Sequence, residues 1–339
     1  MKDLSVTLSG VKLDNPVIPA SGTFGFGQEF TPYYDINILG SLSFKGTTRE
    51  ARFGNPTPRI AECPAGMLNS VGLQNPGVEH VLQEELPRLR SIFHKPIIAN
   101  ISGFSIEEYV HCVELLTKEE QVEILEVNIS CPNVHGGGMA FGTSCEAAAA
   151  ITAAVKKVAT KPVYIKLSPN VTDIVSIARA CEDAGADGLT IHGRTRMQQY
   201  SGKADWETIA RAKQAVSIPV IANGDIVDGK SALECIRVTG CDGLAIGRAS
   251  LGNPWLFAEI KAAMAGREYT PPSYQEVMET AMNQAREMLA WKGEKSAVLE
   301  MRKHFSWYIA GRRGAAQLRT RLNLATSFQD VEKLLQELI

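Results

Sequence analysis

The sequence predicts an α/β protein: a (β/α)₈ TIM barrel with a small C-terminal all-helical domain. Three observations carry that prediction. Eight short runs rich in β-branched residues recur along the chain, separated by stretches of helical periodicity, which is the signature of βα units around a parallel sheet. The chain's 339 residues exceed the roughly 250 of a plain barrel and leave room for one appended unit. The strand pattern stops after Trp255-Leu256-Phe257, and only helical patterns follow. The expected division is a barrel over residues 1–268 and a helical domain over 269–339.

The strands are expected, in order, at Pro16–Pro19, Ile38–Lys45, Pro96–Ile101, Ile124–Ser130, Val163–Ser168, Gly188–His192, Pro219–Asn223 and Gly243–Gly247. Helices are expected between them, among others at Ser144–Val158, Asp173–Ala184 and Asp205–Gln214. The connection from Gly46 to Lys95 is much longer than a plain βα loop. Its first part is rich in Gly, Pro and Asn, as a functional loop above a barrel mouth would be. Glu259–Ala265 reads as the closing helix and Thr270-Pro271-Pro272-Ser273 as a linker. Helices at Tyr274–Trp291, Ser296–Tyr308, Ala315–Leu322 and Ser327–Leu338 complete the tail, the last with an N-terminal cap signal.

The formal charge of −2 argues against a molecule that binds nucleic acid by its overall field. Seven cysteines, odd in number and without a CxxC pair, suit a reducing compartment and argue against a metal cluster. The chain opens on Met1-Lys2-Asp3-Leu4 without a signal-peptide pattern, and no apolar run approaches the ~18 residues of a membrane span. A cytoplasmic location without membrane attachment is the expectation.

Enzymes on this barrel place their chemistry at the C-terminal strand ends. Here seven of eight strands end in polar or flexible residues: Lys45, Asn100, Asn128 with Cys131, Lys166, His192, Asn223-Gly224-Asp225 and Gly247-Arg248. Polar residues fall at strand ends anyway, but two lysines closing apolar strands favour a site. Glycines that let backbone N–H groups approach an anion, beside a fixed arginine, favour phosphate at the last two strands over two ordinary turns. Lys45 and Lys166 are read as charge-stabilising groups rather than snorkelling side chains. Cysteines are most often small buried residues, and Cys112, Cys181 and Cys235 are read that way.

Four motifs of the first half are Ala20-Ser21-Gly22-Thr23-Phe24-Gly25, Lys45-Gly46-Thr47-Thr48, Asn69-Ser70-Val71-Gly72-Leu73-Gln74-Asn75 and Asn128-Ile129-Ser130-Cys131-Pro132-Asn133. They resemble the class 1 dihydroorotate dehydrogenases, especially the type that works with a separate electron-transfer subunit. From about Ile191 the motifs change to His192-Gly193-Arg194-Thr195-Arg196, Asn223-Gly224-Asp225-Ile226, Gly247-Arg248-Ala249-Ser250-Leu251-Gly252-Asn253-Pro254-Trp255 and Met301-Arg302-Lys303-His304. These resemble the bacterial tRNA-dihydrouridine synthases. The chain thus reads as a chimera with a crossover near residue 190.

Both families are flavoenzymes acting on the C5–C6 bond of a pyrimidine. The resemblance therefore implies FMN held by Ala20, Ser21, Gly22, Lys45, Gly46, Asn100, Asn128, Lys166, His192, Asn223, Gly224, Asp225, Gly247 and Arg248. It implies Cys131 as the C5 proton-transfer residue, working with Lys45 and Lys166. Lys45, Asn69, Gly72, Leu73, Asn128 and Asn133 match positions that grip orotate. Where that family carries Asn followed by Ser or Thr, this chain has His192-Gly193-Arg194, and Arg194 is the expected replacement partner for the substrate carboxylate.

The first choice is oxidation of dihydroorotate to orotate, with electrons leaving through a flavin and iron–sulfur subunit to NAD. The alternative is reduction of uridine in tRNA, with NADPH reducing the flavin. There the basic stretch of Arg302, Lys303, Arg312, Arg313, Arg319 and Arg321, interleaved with Phe305, Trp307 and Tyr308, would meet RNA. A third reading is an FMN- or RNA-binding barrel without turnover. Barrels of this kind often form homodimers, and the sequence names no interface.

Overall fold

The computed structural model describes residues 2–57, 59–63, 66–69, 71–130, 138–170, 173–198 and 201–336, with backbone alone at 60–63, 66–69 and 138–140. The chain opens with a hairpin of β1 (Val6–Leu8) and β2 (Val11–Leu13), turning through Ser9 and Gly10, both at positive φ. Eight parallel strands follow: β3 (Val17–Pro19), β4 (Leu42–Ser43), β7 (Ile97–Ile101), β8 (Val122–Asn128), β9 (Val163–Leu167), β10 (Gly188–His192), β11 (Val220–Asn223) and β12 (Gly243–Ile246). A second hairpin, β5 (Ile60–Cys63) and β6 (Gly66–Asn69), lies in the long connection after β4.

Ladder hydrogen bonds join the eight strands in the order β3-β12-β11-β10-β9-β8-β7-β4. The remaining seam closes where Gly40 N–H donates to the Val17 carbonyl at 3.0 Å and Asn15 Nδ2 donates to the Ile38 carbonyl at 3.1 Å. A Cβ at Gly40 would stand 1.7 Å from the Asn15 carbonyl oxygen, so only glycine allows the strands to close here.

Period-two alternation sorts the strand residues into two shells. Ile18, Ile98, Ile124, Tyr164, Ile221 and Ala245 point inward and pack with Leu8 and Leu13 of the hairpin, which plug the N-terminal end of the barrel. Their strand neighbours, including Val17, Ile97, Leu125, Ile165, Val220 and Leu244, face the helices. The helices of that outer layer are α1 (Val78–His80) and α2 (Leu86–Arg90), joined by a π turn, then α3 (Ile106–Leu116), α4 (Cys145–Lys156), α5 (Ile174–Asp183), α6 (Trp206–Ala215), α7 (Gly229–Thr239) and α8 (Leu256–Met264). Ser105, Ser144, Asp173, Asp205 and Asp228 cap α3 to α7 with side-chain oxygens that accept backbone N–H bonds.

The tail comprises α9 (Tyr274–Lys292), α10 (Glu294–Tyr308), α11 (Ala315–Leu322) and α12 (Phe328–Gln336). Ser273 and Glu276 form a reciprocal capping box at the start of α9. The four helices bury an apolar cluster of their own, against which Trp255 of the barrel packs.

Two strands differ from expectation. The second shrinks to Leu42–Ser43 because Asp35 caps a 3₁₀ turn at Ile36–Ile38 by accepting from Asn37 N–H at 2.9 Å. The fourth ends at Asn128, not Ser130, because the Asn128 side chain accepts from Ser130 N–H at 3.1 Å and from Ser130 Oγ at 2.9 Å. The opening hairpin was not among the expected elements.

Candidate functional site

Above the apolar plug, the inward strand positions turn polar. Ser43, Asn100, Glu126, Lys166 and Thr190 are all buried and come from five adjacent strands, with Asn128, His192 and Asn223 at or beside the rim. At the centre of this layer is Glu126, a carboxylate only 3% exposed. It accepts from Asn100 Nδ2 at 2.5 Å, Ser43 Oγ at 3.2 Å and Thr190 Oγ1 at 2.7 Å, and lies 3.9 Å from Lys166 Nζ. Glu126 was not among the expected site residues. Val122-Glu123-Ile124-Leu125-Glu126-Val127 looks like a strand with two solvated glutamates, but Glu126 is in phase with Ile124 and Asn128 and so faces inward.

The first rim segment follows β3. Ala20 N–H donates to the Ile246 carbonyl at 2.7 Å, Ser21 is buried, and a Cβ on Gly22 would meet nothing within 4 Å. Lys45 is half-buried just past β4, and its N–H donates to the Gly25 carbonyl at 2.8 Å. A Cβ on Gly46 would stand 2.9 Å from Asn100 Oδ1 and 3.0 Å from Ser102 Oγ, a buried hydroxyl without a hydrogen-bond partner.

Gly72 and Leu73 both hold positive φ, 74° and 60°, and Asn75 fixes their loop. Its Nδ2 donates to the Leu73 carbonyl at 2.9 Å, while its Oδ1 accepts from Thr48 N–H at 3.1 Å and Gly77 N–H at 3.0 Å. Asn69 ends β6 and is described by its backbone alone. Cys131 and Asn133 lie outside the described residues. Burial pushes the thiols of Cys112 and Cys181 up to about 12, in keeping with structural cysteines.

The last three strands end in one charged cluster. Asp225, held at φ 54°, accepts from Arg194 Nη1 at 2.5 Å and from Ala204 N–H at 2.7 Å, and lies 3.6 Å from Arg248 Nη2. Arg194 is 5% exposed, and its Nη2 also donates to the Gly202 carbonyl at 2.9 Å. The expected substrate-carboxylate partner is therefore engaged inside the protein, tying its own loop to β11. Burial, reinforced by the cations Lys166, Arg194 and Arg248, pulls His192 down to about 4, so its imidazole is neutral near pH 7. Asn223 Nδ2 donates to the Ala245 carbonyl at 2.6 Å. Gly224 holds φ 124°, a Cβ on Gly247 would meet nothing within 4 Å, and the Arg248 side chain is 42% exposed.

The tail's basic residues divide between packed and exposed positions. Arg302 donates to the Ala325 carbonyl at 2.8 Å, Lys303 is half-buried, and the Arg312 guanidinium sits 4.6 Å from the centre of the Tyr274 ring. Arg313, Arg319 and Arg321 are exposed. Phe305 and Tyr308 belong to the tail's core rather than to a stacking surface.

The family model for dihydroorotate dehydrogenase matches residues 3–200. The chain is 46% identical over 284 residues to the catalytic subunit of dihydroorotate dehydrogenase B (NAD(+)) of Anoxybacillus flavithermus, covering 78% of this chain and 90% of that protein. It is 47% identical over 282 residues to the corresponding subunit of Geobacillus kaustophilus, covering 77% and 90%. Among solved structures, the Eimeria tenella DHODH in complex with ferulenol superposes with a TM-score of 0.63 at 18% identity, covering 78% of this chain and 86% of that one. At that identity the likeness concerns the fold.

Proposed function

This chain belongs to the dihydroorotate dehydrogenase family, and from that premise we propose that it oxidises dihydroorotate to orotate on FMN. The observation that carries the proposal is the polar inner layer at the barrel mouth, set on a dry apolar base. Such a layer offers amide, hydroxyl and ammonium groups to a flat polar ring, which an apolar pocket alone would not orient.

The residues present fit FMN. Open space lies over Gly22 and Gly247, Ser102 Oγ is buried without a partner beside Gly46, and Asn128 at the rim lies above Asn100, whose layer includes Lys166. Bound there, FMN supplies the hydride acceptor. Gly224 and the partly exposed Arg248 would hold its phosphate. Lys166 would stabilise negative charge at the pyrimidine edge of the reduced ring. Lys45, Asn69, Gly72, Leu73, Asn128 and Asn133 would orient the substrate, and Cys131 would take the proton from C5. Asn75 positions the Gly72-Leu73 segment by donating to the carbonyl of Leu73.

The relatives are named as catalytic subunits of an NAD(+)-dependent enzyme. We take this chain to hand its electrons likewise to a second subunit that reduces NAD. No helix among the described residues is long and apolar enough to cross a membrane.

A second reading keeps the tRNA-dihydrouridine synthase character of the later residues. The observation behind it is the Arg194–Asp225–Arg248 cluster, whose three members all come from the second set of motifs; against it, the dihydroorotate dehydrogenase relatives match 77–78% of the chain and so extend well past residue 200. Exposed Arg313, Arg319 and Arg321 would be its RNA contacts.

Anaerobic mixing of the yellow protein with dihydroorotate separates the readings. Rapid bleaching of the flavin absorbance is expected. No bleaching, in protein that NADPH reduces and unmodified tRNA reoxidises, would transfer the assignment to the second reading. Flavin binding without either reaction would leave a barrel that binds and does not turn over.

A further inference from the structure

A buried carboxylate in the wall of a barrel is expensive unless several donors satisfy it. Among the described residues Glu126 meets four polar partners, on four strands, and each is a donor: Ser43 Oγ, Asn100 Nδ2, Thr190 Oγ1 and Lys166 Nζ. Wholly structural satisfaction would be cheaper with an apolar residue, like the Ile124 and Tyr164 just below it. The placement also has direction. Because Asn100 gives its NH₂ to Glu126, its Oδ1 is left for Asn128 Nδ2 at 3.5 Å, and Asn128 in turn uses its Oδ1 to accept from Ser130. One negative charge thereby orients two amides, as far as the residue before Cys131.

We propose that Glu126 is a positioning residue that sets the electrostatic environment of the bound flavin, by balancing the charge of Lys166 and fixing the orientation of Asn100 and Asn128. The proposal rests on the FMN reading above. The negative charge partly offsets the ammonium of Lys166, so the site holds an anionic reduced ring less tightly than an unbalanced lysine would. Withdrawing the charge should make the oxidised flavin easier to reduce, and should slow turnover because the amide chain loses its anchor.

The test is sulfite titration of the purified holoprotein, followed at the flavin absorbance, since sulfite adds reversibly to flavin N5 and leaves an anionic adduct. Glu126→Gln should bind sulfite at least tenfold more tightly than the unaltered protein. The midpoint potential, read against a reference dye, should rise correspondingly by about 30 mV for a two-electron couple. Glu126→Asp, which keeps the charge, should stay within threefold of the unaltered protein. Equal shifts for Gln and Asp, or none for Gln, would overturn the proposal.

If the Gln variant fails to fold or to keep FMN, Thr190→Val serves instead. It leaves the carboxylate but removes the donor on Oε2, so more of the charge faces Lys166 and sulfite binding should weaken at least twofold. Unchanged affinity there would overturn the proposal. A protein that never bound FMN would instead fail the reading on which the proposal rests.

Discussion

In the proposed reaction Cys131 would take the proton from C5, and Ser130, the residue before it, is held by Asn128. Asn128 holds Ser130 through both its N–H and its hydroxyl. Cys131→Ala removes the base without touching that anchor. The expected result is protein that keeps its flavin but reduces it with dihydroorotate 10²- to 10⁴-fold more slowly, the usual range for losing a positioned acid or base. Stopped-flow reduction measures this, and a rate within threefold of the unaltered protein would remove Cys131 from the mechanism. The place of Asn128 and Lys166 at the C-terminal ends of their strands was legible from the motifs. That of Glu126 was not, because a charged residue in an alternating run reads as solvent-facing until the phase of the strand is known. Arg194 shows the converse: its charge was read from sequence, but not the carboxylate that engages it from the neighbouring strand end.

At the scale of elements, Asp225 joins β10, β11 and β12 at their C-terminal ends. Its ion pair with Arg194 is largely buried, whereas the contact with the half-exposed Arg248 is weaker. Asp225→Asn keeps a residue that tolerates left-handed φ and removes only the charge. Arg194 would then be a buried cation without its partner, so a loss of about 2–4 kcal/mol is expected in urea unfolding. Adding Arg194→Met should recover at least about 1 kcal/mol, because the uncompensated charge is gone. Strictly additive losses would mean that the two residues do not act as a unit. Such coupling explains why the eight-strand order was legible while its details were not. Local pattern places each strand, but Asp35 shortens the second and Asn128 ends the fourth through local side-chain bonds that no periodicity records.

For the whole molecule, acid is the revealing variable, because barrel and tail each hold a half-buried, neutral histidine. Burial first, then neighbouring cations, pulls His192 down to about 4, and burial with Lys303 and Lys292 pulls His304 down to about 3. His304 Nδ1 lies 3.3 Å from Gln284 Nε2, and its ring meets Trp307 edge-on at 5.1 Å, within the helical tail. Unfolded, both imidazoles titrate near 6.5. Below that pH the unfolded chain binds protons that the folded chain refuses, so stability is complete above about 6.5 and drains away as pH falls toward 4 and then 3. Each histidine accounts for up to roughly 3 kcal/mol of that loss. The tail is not independent of the barrel: Tyr33 donates to Glu287 at 2.6 Å, and a Cβ on Gly252 would stand 2.6 Å from Trp307 Cβ. Loosening the tail at low pH should therefore be felt in the barrel too. The urea midpoint should fall steadily between pH 6.5 and 4.5, and His304→Gln should flatten that fall without moving the midpoint at pH 7.5 by more than about 1 kcal/mol equivalent. A slope unchanged by the substitution would mean that His304 is already protonated in the folded tail.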